Sequence, residues 1–600
     1  MENEPKKTTC YIIEPSAWGI RTDGTDAVKT TDGLNQAIAY AKNAGYPEVF
    51  IPKGTYLIQG VGTAYPASPE KGAGIHVPSH LKLTLDHEAE LKVEPNSSKG
   101  YSCIYLRKVE NVTISGGIIT GDLDQHDFSK LPKSTQEWGL GIYVHGGKNI
   151  TIENMKIRKC TGDCILLGPV GLLGMDPDYD KPEKVSIRNC QLDGARRNNI
   201  SLTAGEGVFV ENNEITNAGT VKGTKPCAGI DIEGYGEGDI DYEEPRKIVI
   251  RGNVFRGNAE SSVLSFNGYE VIIDGNHSDN TLSYGNGTDT VISNNVLLRT
   301  DNARVAIAGQ KVSNGLDGNN VTIVGNSIKG FSSGIDARGK DVVVTGNTVS
   351  HLGSASGTGI GVWDAENVLI TDNAVHRGQG LAYKVDNSKD VQLLNNKAYQ
   401  SDRYGMEVDK SQEVVLRGNV FSRCKGGIQI TNRGTTGTQV LAEGNHIDCT
   451  GYTGQSTYTI SFDKSSDVAI KSNYIRGARN IAIYGASAAG RSVKITDNEI
   501  VDSTGVTAAI QLDGGARAEI AGNRITYDRT ADGGYGIILL NTVDALVAEN
   551  SIGSHSNFAL NGSIVTEKAN STKVVNNLAI KGILKLNEKT DTNLGNTVIV

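Results

Sequence analysis

Asn367-Val368-Leu369-Ile370-Thr371-Asp372-Asn373 and, 23 residues on, Asp390-Val391-Gln392-Leu393-Leu394-Asn395-Asn396 are two statements of one phrase. In each, an apolar-x-apolar strand runs into a turn closed by Asn. Between them Leu381-Ala382-Tyr383-Lys384-Val385 supplies a second alternating strand. From about residue 100 the phrase recurs to the C-terminus, with seventeen closing Asn residues from Asn154 to Asn577, most of them 21 to 28 residues apart. A repeat of this length built from strands and turns, with no helical period in it, predicts a solenoid in which each coil buries its face against its neighbours. Leucine-rich horseshoes and propellers are excluded by the missing Leu consensus and by too few strands per unit. Asn suits the bend twice over: it tolerates left-handed backbone, and its amide can bond to the Asn one coil away, about 4.8 Å along the stack.

Composition agrees with short strands joined by many turns, since 73 Gly residues exceed what helices tolerate and hydrophobic residues make up a modest 38%. The formal net charge of −9 excludes a nucleic-acid partner that must displace counterions with a basic stripe. Eight cysteines show no C-x-x-C pairing, so buried thiols are expected in place of zinc or a disulfide framework. Met1-Glu2-Asn3-Glu4-Pro5-Lys6-Lys7 is not followed by an apolar segment, and no run approaches membrane-spanning length. The expectation is a soluble chain without a visible secretory signal peptide and without a membrane partner.

Near the start, Leu34, Ala37, Ile38 and Ala41 follow Asp32 at helical spacing, with Gly45 as a stop. Strands at Glu48 to Ile51 and Tyr56 to Ile58 flank the turn Pro52-Lys53-Gly54-Thr55. The expected organisation is an N-terminal segment with capping helix over 1–60, a solenoid over 61–577, and a terminal coil over 578–600. Long intervals, such as the 40 residues between Asn213 and Asn253, place insertions near 168–183, 220–246 and 300–318. Loops raised from a rigid scaffold are where binding surfaces are built.

The first two insertions flank Ala228-Gly229-Ile230-Asp231-Ile232-Glu233-Gly234. On a strand Asp231 and Glu233 leave one face, with Cα atoms about 6.6 Å apart. Aligning coils on Ile142, Ile165, Ile200 and Ile230 puts Tyr143, Leu166, Ser201, Asp231 and Ser265 in one outward column. His145, Gly168, Thr203, Glu233 and Asn267 form the next. Such a face suits an extended polymer. A carboxyl pair at this spacing fits either the retaining or the inverting arrangement of glycoside hydrolysis, in which one acid must hold its proton. A hydrated strand face and a calcium site are the competing readings of the same D-x-E.

Further residues converge on this region. Glu137 and Asp163 are supporting acids, and Arg196 and Arg197 are candidates to grip a uronate carboxylate. Trp138 and Tyr143 are candidates to stack on sugar rings. Asp122, His126, His145 and Ser201 complete the candidate substrate contacts.

The opening Asp32, Gln36, Ala37, Ile38 followed by Val49, Ile51, Pro52, Gly54 and Tyr56 resembles the N-terminal cap of the pectate-lyase-like superfamily of right-handed parallel β-helices, which includes phage tailspikes. Glu137-Trp138-Gly139, Gly162-Asp163, Arg196-Arg197-Asn198-Asn199-Ile200-Ser201 and Gly229-Ile230-Asp231-Ile232-Glu233 resemble a run in phage and bacterial β-helix proteins that degrade glycans. Here Cys164, Asn199 and Gly234 depart from the usual Gly, Gly and Pro. The resemblance implies an all-β right-handed parallel β-helix with a small α-helical cap, acting as a polysaccharide depolymerase outside the cell or on a virion, as a homotrimer. Paired-carboxylate hydrolysis needs no cofactor. Two alternatives stay open: a lyase eliminating across a uronate, where calcium has a place, and a non-catalytic glycan-binding or structural fibre.

Overall fold

A computed structural model describes residues 10–61, 74–130, 132, 136–236, 243–310, 318–431, 438–454, 458–463, 466–486, 491–501, 507–515, 517–527, 533–554 and 559–599. Residues 1–9 and parts of the second and third expected insertions, 237–242 and 311–317, lie outside the described residues. The chain divides into two compact units, one of residues 1–298 with 308–319 and the other of 299–307 with 320–600.

In the first unit a short strand, Tyr11–Ile12, and a 3-10 turn, Pro15–Trp18, precede one α-helix, Ala27–Asn43, packed by Leu34, Ala37, Ile38 and Ala41. The helix starts earlier than Asp32. Asp26 is the N-cap, its side chain accepting from the Lys29 amide, so the polar start signal lies six residues upstream of the expected one. Strands Glu48–Ile51 and Gly54–Ile58 follow. The chain then winds into parallel coils of three strands, one on each of three faces. One coil of the first unit, for example, runs Trp138–His145, Lys148–Glu153 and Lys156–Arg158. Each strand pairs in parallel with its counterpart one coil on. Ile104, Ile142, Ile165, Ile200, Ile230 and Val263 stack in register as one buried ladder. The second unit repeats this plan, with strands such as Leu381–Asp386, Lys389–Leu394 and Lys397–Ser401 making one coil. This is the solenoid that the repeat predicts, in the all-β right-handed parallel β-helix form that the resemblance implies.

The closing Asn turns out to be two adjacent positions with separate jobs. In the second unit Asn326, Asn347, Asn373, Asn396 and Asn419 are buried, and the last four each accept at Oδ1 from the preceding ladder residue's backbone amide and side-chain amide. The left-handed backbone belongs to the residue before, as at Asp372 (φ 56°) and Asn395 (φ 57°). Buried polar groups are thereby satisfied at every coil, which is what allows a polar ladder inside an apolar core. Asn154 and Asn189 are therefore not ladder residues. They occupy the left-handed position (φ 58° and 54°), and Cys190 stands in the ladder, where its amide donates to Asn213 Oδ1 at 2.8 Å.

Candidate active site

The site lies in the first unit, on the face made by Gly100–Arg107, Trp138–His145, Ile165–Gly168, Ile200–Leu202, Ala228–Ile232 and Ser261–Ser265. The outward column is Tyr105, Tyr143, Leu166, Ser201, Asp231 and Leu264. Ser265 is not in it. That residue pairs with Ile232 and points into the core, because Val263 and not Leu264 takes the inward position. Asn267 is displaced by the same step: Phe266 follows Glu233 in the second column, its amide donating to the Ile232 carbonyl. Asn267 instead clasps the base of the second insertion, accepting from the Gly234 amide at 2.7 Å and donating to the Glu243 carbonyl at 3.0 Å. Gly234 is required there, since a Cβ would run into the Glu243 carbonyl oxygen.

Above these columns opens a cleft of about 920 Å³. Its floor is largely aromatic: Tyr143, Leu166 and half-buried Trp138 line it, packed with buried Tyr105. The ring of His145 stacks on Tyr143 at 4.6 Å, and its Nδ1 lies 2.7 Å from the Tyr105 hydroxyl. One wall is the first insertion at 169–172, with Asp176 and Asp178, and the other is Gly234-Tyr235-Gly236. The Tyr179 hydroxyl donates to Glu243 Oε2 at 2.8 Å, tying the two insertions together.

Acids cluster at the bottom, held by the turn Arg197-Asn198. Asn198 is the clamp: its amide donates to Asp163 Oδ1 (3.0 Å), its Nδ2 to Ser201 Oγ (3.0 Å) and Asp231 Oδ2 (3.1 Å), and its Oδ1 accepts from the Ala228 amide (2.9 Å). Arg197 bonds Asp163 Oδ2 at 3.2 Å, reaches within 4.0 Å of Asp231 Oδ2, and lies 5.8 Å from the Trp138 ring centre. Burial works against the Arg197 charge, yet Asp163, Asp231, Glu137 and Glu233 together hold its pKa above the ordinary value. Burial likewise raises the Asp163 carboxyl, opposed by Arg197 and the Asn198 amide. Asp231 is pushed up to about 8, by burial first and then by the charges of Glu233 and Asp163, against the pull of Arg197 and Asn198. One cation beside several carboxyls leaves one of them protonated at neutral pH. Asp231 Oδ1 is buried and makes no hydrogen bond. Glu233, exposed, lines the cleft itself.

Of the residues singled out in the sequence, Trp138, Tyr143, His145, Arg197 and Glu233 line the cleft. Asp163, Ser201 and Asp231 are buried in the cluster tied together by Asn198. Glu137 accepts from the Thr224 hydroxyl at 2.7 Å. Arg196 turns away from the cleft: it donates to the carbonyls of Lys222 (2.9 Å) and Gln136 (2.6 Å) and lies over Phe128. Burial lowers its pKa. Asp122 and His126 form a buried pair at 2.7 Å, which also takes the Thr161 hydroxyl and the Asn96 amide, and they pin a turn outside the cleft. Sequence reasoning missed Asn198 as the clamp and Tyr105 and Arg107 as part of the face. The latter two were within reach, since Ile104-Tyr105-Leu106-Arg107 repeats the alternation of Ile142-Tyr143-Val144-His145 one coil earlier.

No helix among the described residues is long and apolar enough to cross a membrane. The only group of three His, Cys, Asp or Glu side chains among them close enough to share an ion is exposed Asp86-His87-Glu88.

Residues 171–331 and 315–461 match the family described as right handed beta helix region, and residues 435–596 match that described as periplasmic copper-binding protein (NosD). Among solved structures, a tailspike protein of E. coli bacteriophage HK620 in complex with pentasaccharide is similar at 13% identity and TM-score 0.41, over 74% of this chain and 72% of that one. The A-module of an Azotobacter vinelandii mannuronan C-5 epimerase is similar at 13% identity and TM-score 0.40, over 72% and 97%. Of curated proteins, the uncharacterized protein YclG of Bacillus subtilis strain 168 is 39% identical over 87% of this chain and 88% of its own. From the same strain, the SPbeta prophage-derived uncharacterized protein YorA is 35% identical over 97% of each. The chain belongs to the family of right-handed parallel β-helix proteins that these two Bacillus relatives represent.

Proposed function

We propose that this protein is a glycan depolymerase that hydrolyses glycosidic bonds of an extended polysaccharide in the cleft of its first unit. The observation that carries the reading is the pairing of Asp231 with Glu233. Asp231 holds its proton to about pH 8 and has an unpartnered Oδ1, while Glu233, two residues along the same face, lines an open cleft floored by aromatic rings. A protonated carboxyl lacking an acceptor is suited to protonate a leaving glycosidic oxygen, and the second carboxyl supplies the nucleophile or activates water. Arg197 holds the acids and borders the substrate. The tailspike neighbour with its pentasaccharide and the mannuronan epimerase are in keeping with a glycan ligand, and the prophage origin of YorA with work outside the cell or on a virion.

A panel of polysaccharides scored for new reducing ends tests this. Asp231→Asn and Glu233→Gln are expected to slow chain cutting by about 100-fold or more in proteins that still fold and melt cooperatively; full activity in both variants overturns the assignment. A lyase reading has its own support, because Arg107, Arg197 and the Tyr105–His145 pair offer cations and a base beside the same floor. Elimination announces itself by ultraviolet absorbance of an unsaturated uronate. Hydrolysis through the acid pair survives chelation, whereas activity lost on chelation and restored by calcium marks elimination.

A further inference from the structure

The second unit carries a polar array on an outward column of its own. In register, successive coils place Asp336, Gly361, Lys384, Glu407, Gln429, Ser461, Tyr484, Gln511, Ile538 and Val565 at one position. The later coils fill it with Ile538 and Val565, so the scaffold has no need of charge there. Charges taken out of water are costly unless something is gained by them. Yet Lys384, with a side chain only 15% exposed, contacts Asp386 at 2.9 Å and Glu407 at 3.6 Å, and Glu407, 2% exposed, also meets Arg403 at 3.4 Å.

Trp363 lies beside this cluster, half-buried, in register with Asp386. Its Nε1 donates to Asp336 Oδ1 at 3.3 Å, and the Lys384 ammonium stands 4.7 Å from the ring centre. Gly361 makes this pose available, because a Cβ there would collide with the indole nitrogen. The ring is thus held in place before any ligand arrives. Its parts match those of the cleft in the first unit, where Arg197 stands by Trp138 with buried Asp163 and Asp231 alongside. An indole held at its Nε1 edge, with an ammonium over the ring and carboxylates beside it, is an arrangement that takes a sugar: the ring's open face receives the apolar C–H face and the charged groups bind hydroxyls.

We propose that Trp363, Lys384, Asp386 and Glu407 form a second carbohydrate-binding site, which holds a polysaccharide chain without cutting it. The identity of the ligand as a glycan rests on the function proposed above, but the two can fail separately. Affinity electrophoresis of the full-length chain through gels containing dextran, xylan, alginate or polygalacturonate reads binding, and reducing ends with ultraviolet absorbance read cleavage. In a Trp138→Ala background, Trp363→Ala is expected to weaken retardation about tenfold, and Lys384→Met to weaken it as well. Cleavage of short oligosaccharides by the single Trp363→Ala variant is expected to be unchanged. Retardation lost with Trp363 in a protein that cuts nothing upholds this site and sinks the depolymerase. Retardation unchanged in the Trp138→Ala/Trp363→Ala protein, or absent from every gel for the wild type, overturns the site whatever the cleavage assay shows.

Discussion

At the scale of single residues, Asp231 carries two consequences of one shift. Its ordinary carboxyl pKa near 3.9 applies to the unfolded chain, and about 8 to the folded one. Between those values the folded state holds a proton that the unfolded state has released, so stability falls as pH rises from about 4 to about 8 and is level above. Asp231→Asn abolishes that slope. Its melting temperature is expected to exceed the wild type's at pH 8 and to converge with it near pH 4, while the alkaline fall of kcat/KM close to pH 8 vanishes along with the activity; thermal melts across pH and a pH–rate profile check both. Destabilisation concentrated at one buried acid is a common cost of catalytic poise. The ladder makes the opposite case. Asn373 Nδ2 donates to the Val344 and Thr371 carbonyls and to Asn396, and its Oδ1 accepts from Asn347. Asn373→Leu strands these buried groups and is expected to cost about 3 kcal/mol or more, measured by denaturant unfolding. Sequence alone marks Asn373 and Asp231 as special through their recurrence and spacing. It does not tell Arg196 from Arg197, since adjacent residues at a turn leave in different directions and only the fold says which one meets the acids.

At the scale of elements, the site depends on how strands and insertions meet. Register was legible wherever alternation was unambiguous, as from Ile142 to Ile230. It slips at Val263-Leu264-Ser265-Phe266 because the inward phase carries Ser265 after Val263, while the outward Leu264 and Phe266 are both apolar and mimic core residues. Likewise the Asn154 and Asn189 turns look like ladder positions because an αL residue and a ladder residue favour the same amino acid for different reasons. The walls of the cleft owe their placement to long-range contacts that no local pattern encodes. Tyr179 and Glu243 are 64 residues apart in sequence and close the two insertions together. Tyr179→Phe removes that bond and leaves Glu243 buried and short of a donor. The walls are expected to loosen, raising KM about fivefold with kcat little changed, as steady-state kinetics on the best substrate of the panel will show.

At the scale of the whole molecule, stability in a solenoid is a sum of coils and of the contacts between neighbours. Interior coils bury their apolar column and their ladder Asn on both sides, as Asn396 and Asn419 do. The last coil differs. Asn577 still donates to Asn596 at 2.8 Å, which continues the ladder one step beyond the Asn residues read from the sequence, but Leu594, Val598 and Ile599 are exposed at 58%, 40% and 49%. Few buried contacts stand behind the backbone hydrogen bonds of Thr592–Leu594 and Thr597–Ile599, so they open with little free energy. Amide hydrogen exchange is therefore expected to be fastest in these strands among the described coils of the second unit, and slower by orders of magnitude in Lys389–Leu394 and Gln412–Arg417. Uniform protection along the second unit would mean that cooperativity spans all its coils, and that neighbour terms outweigh the exposed apolar face of the last one.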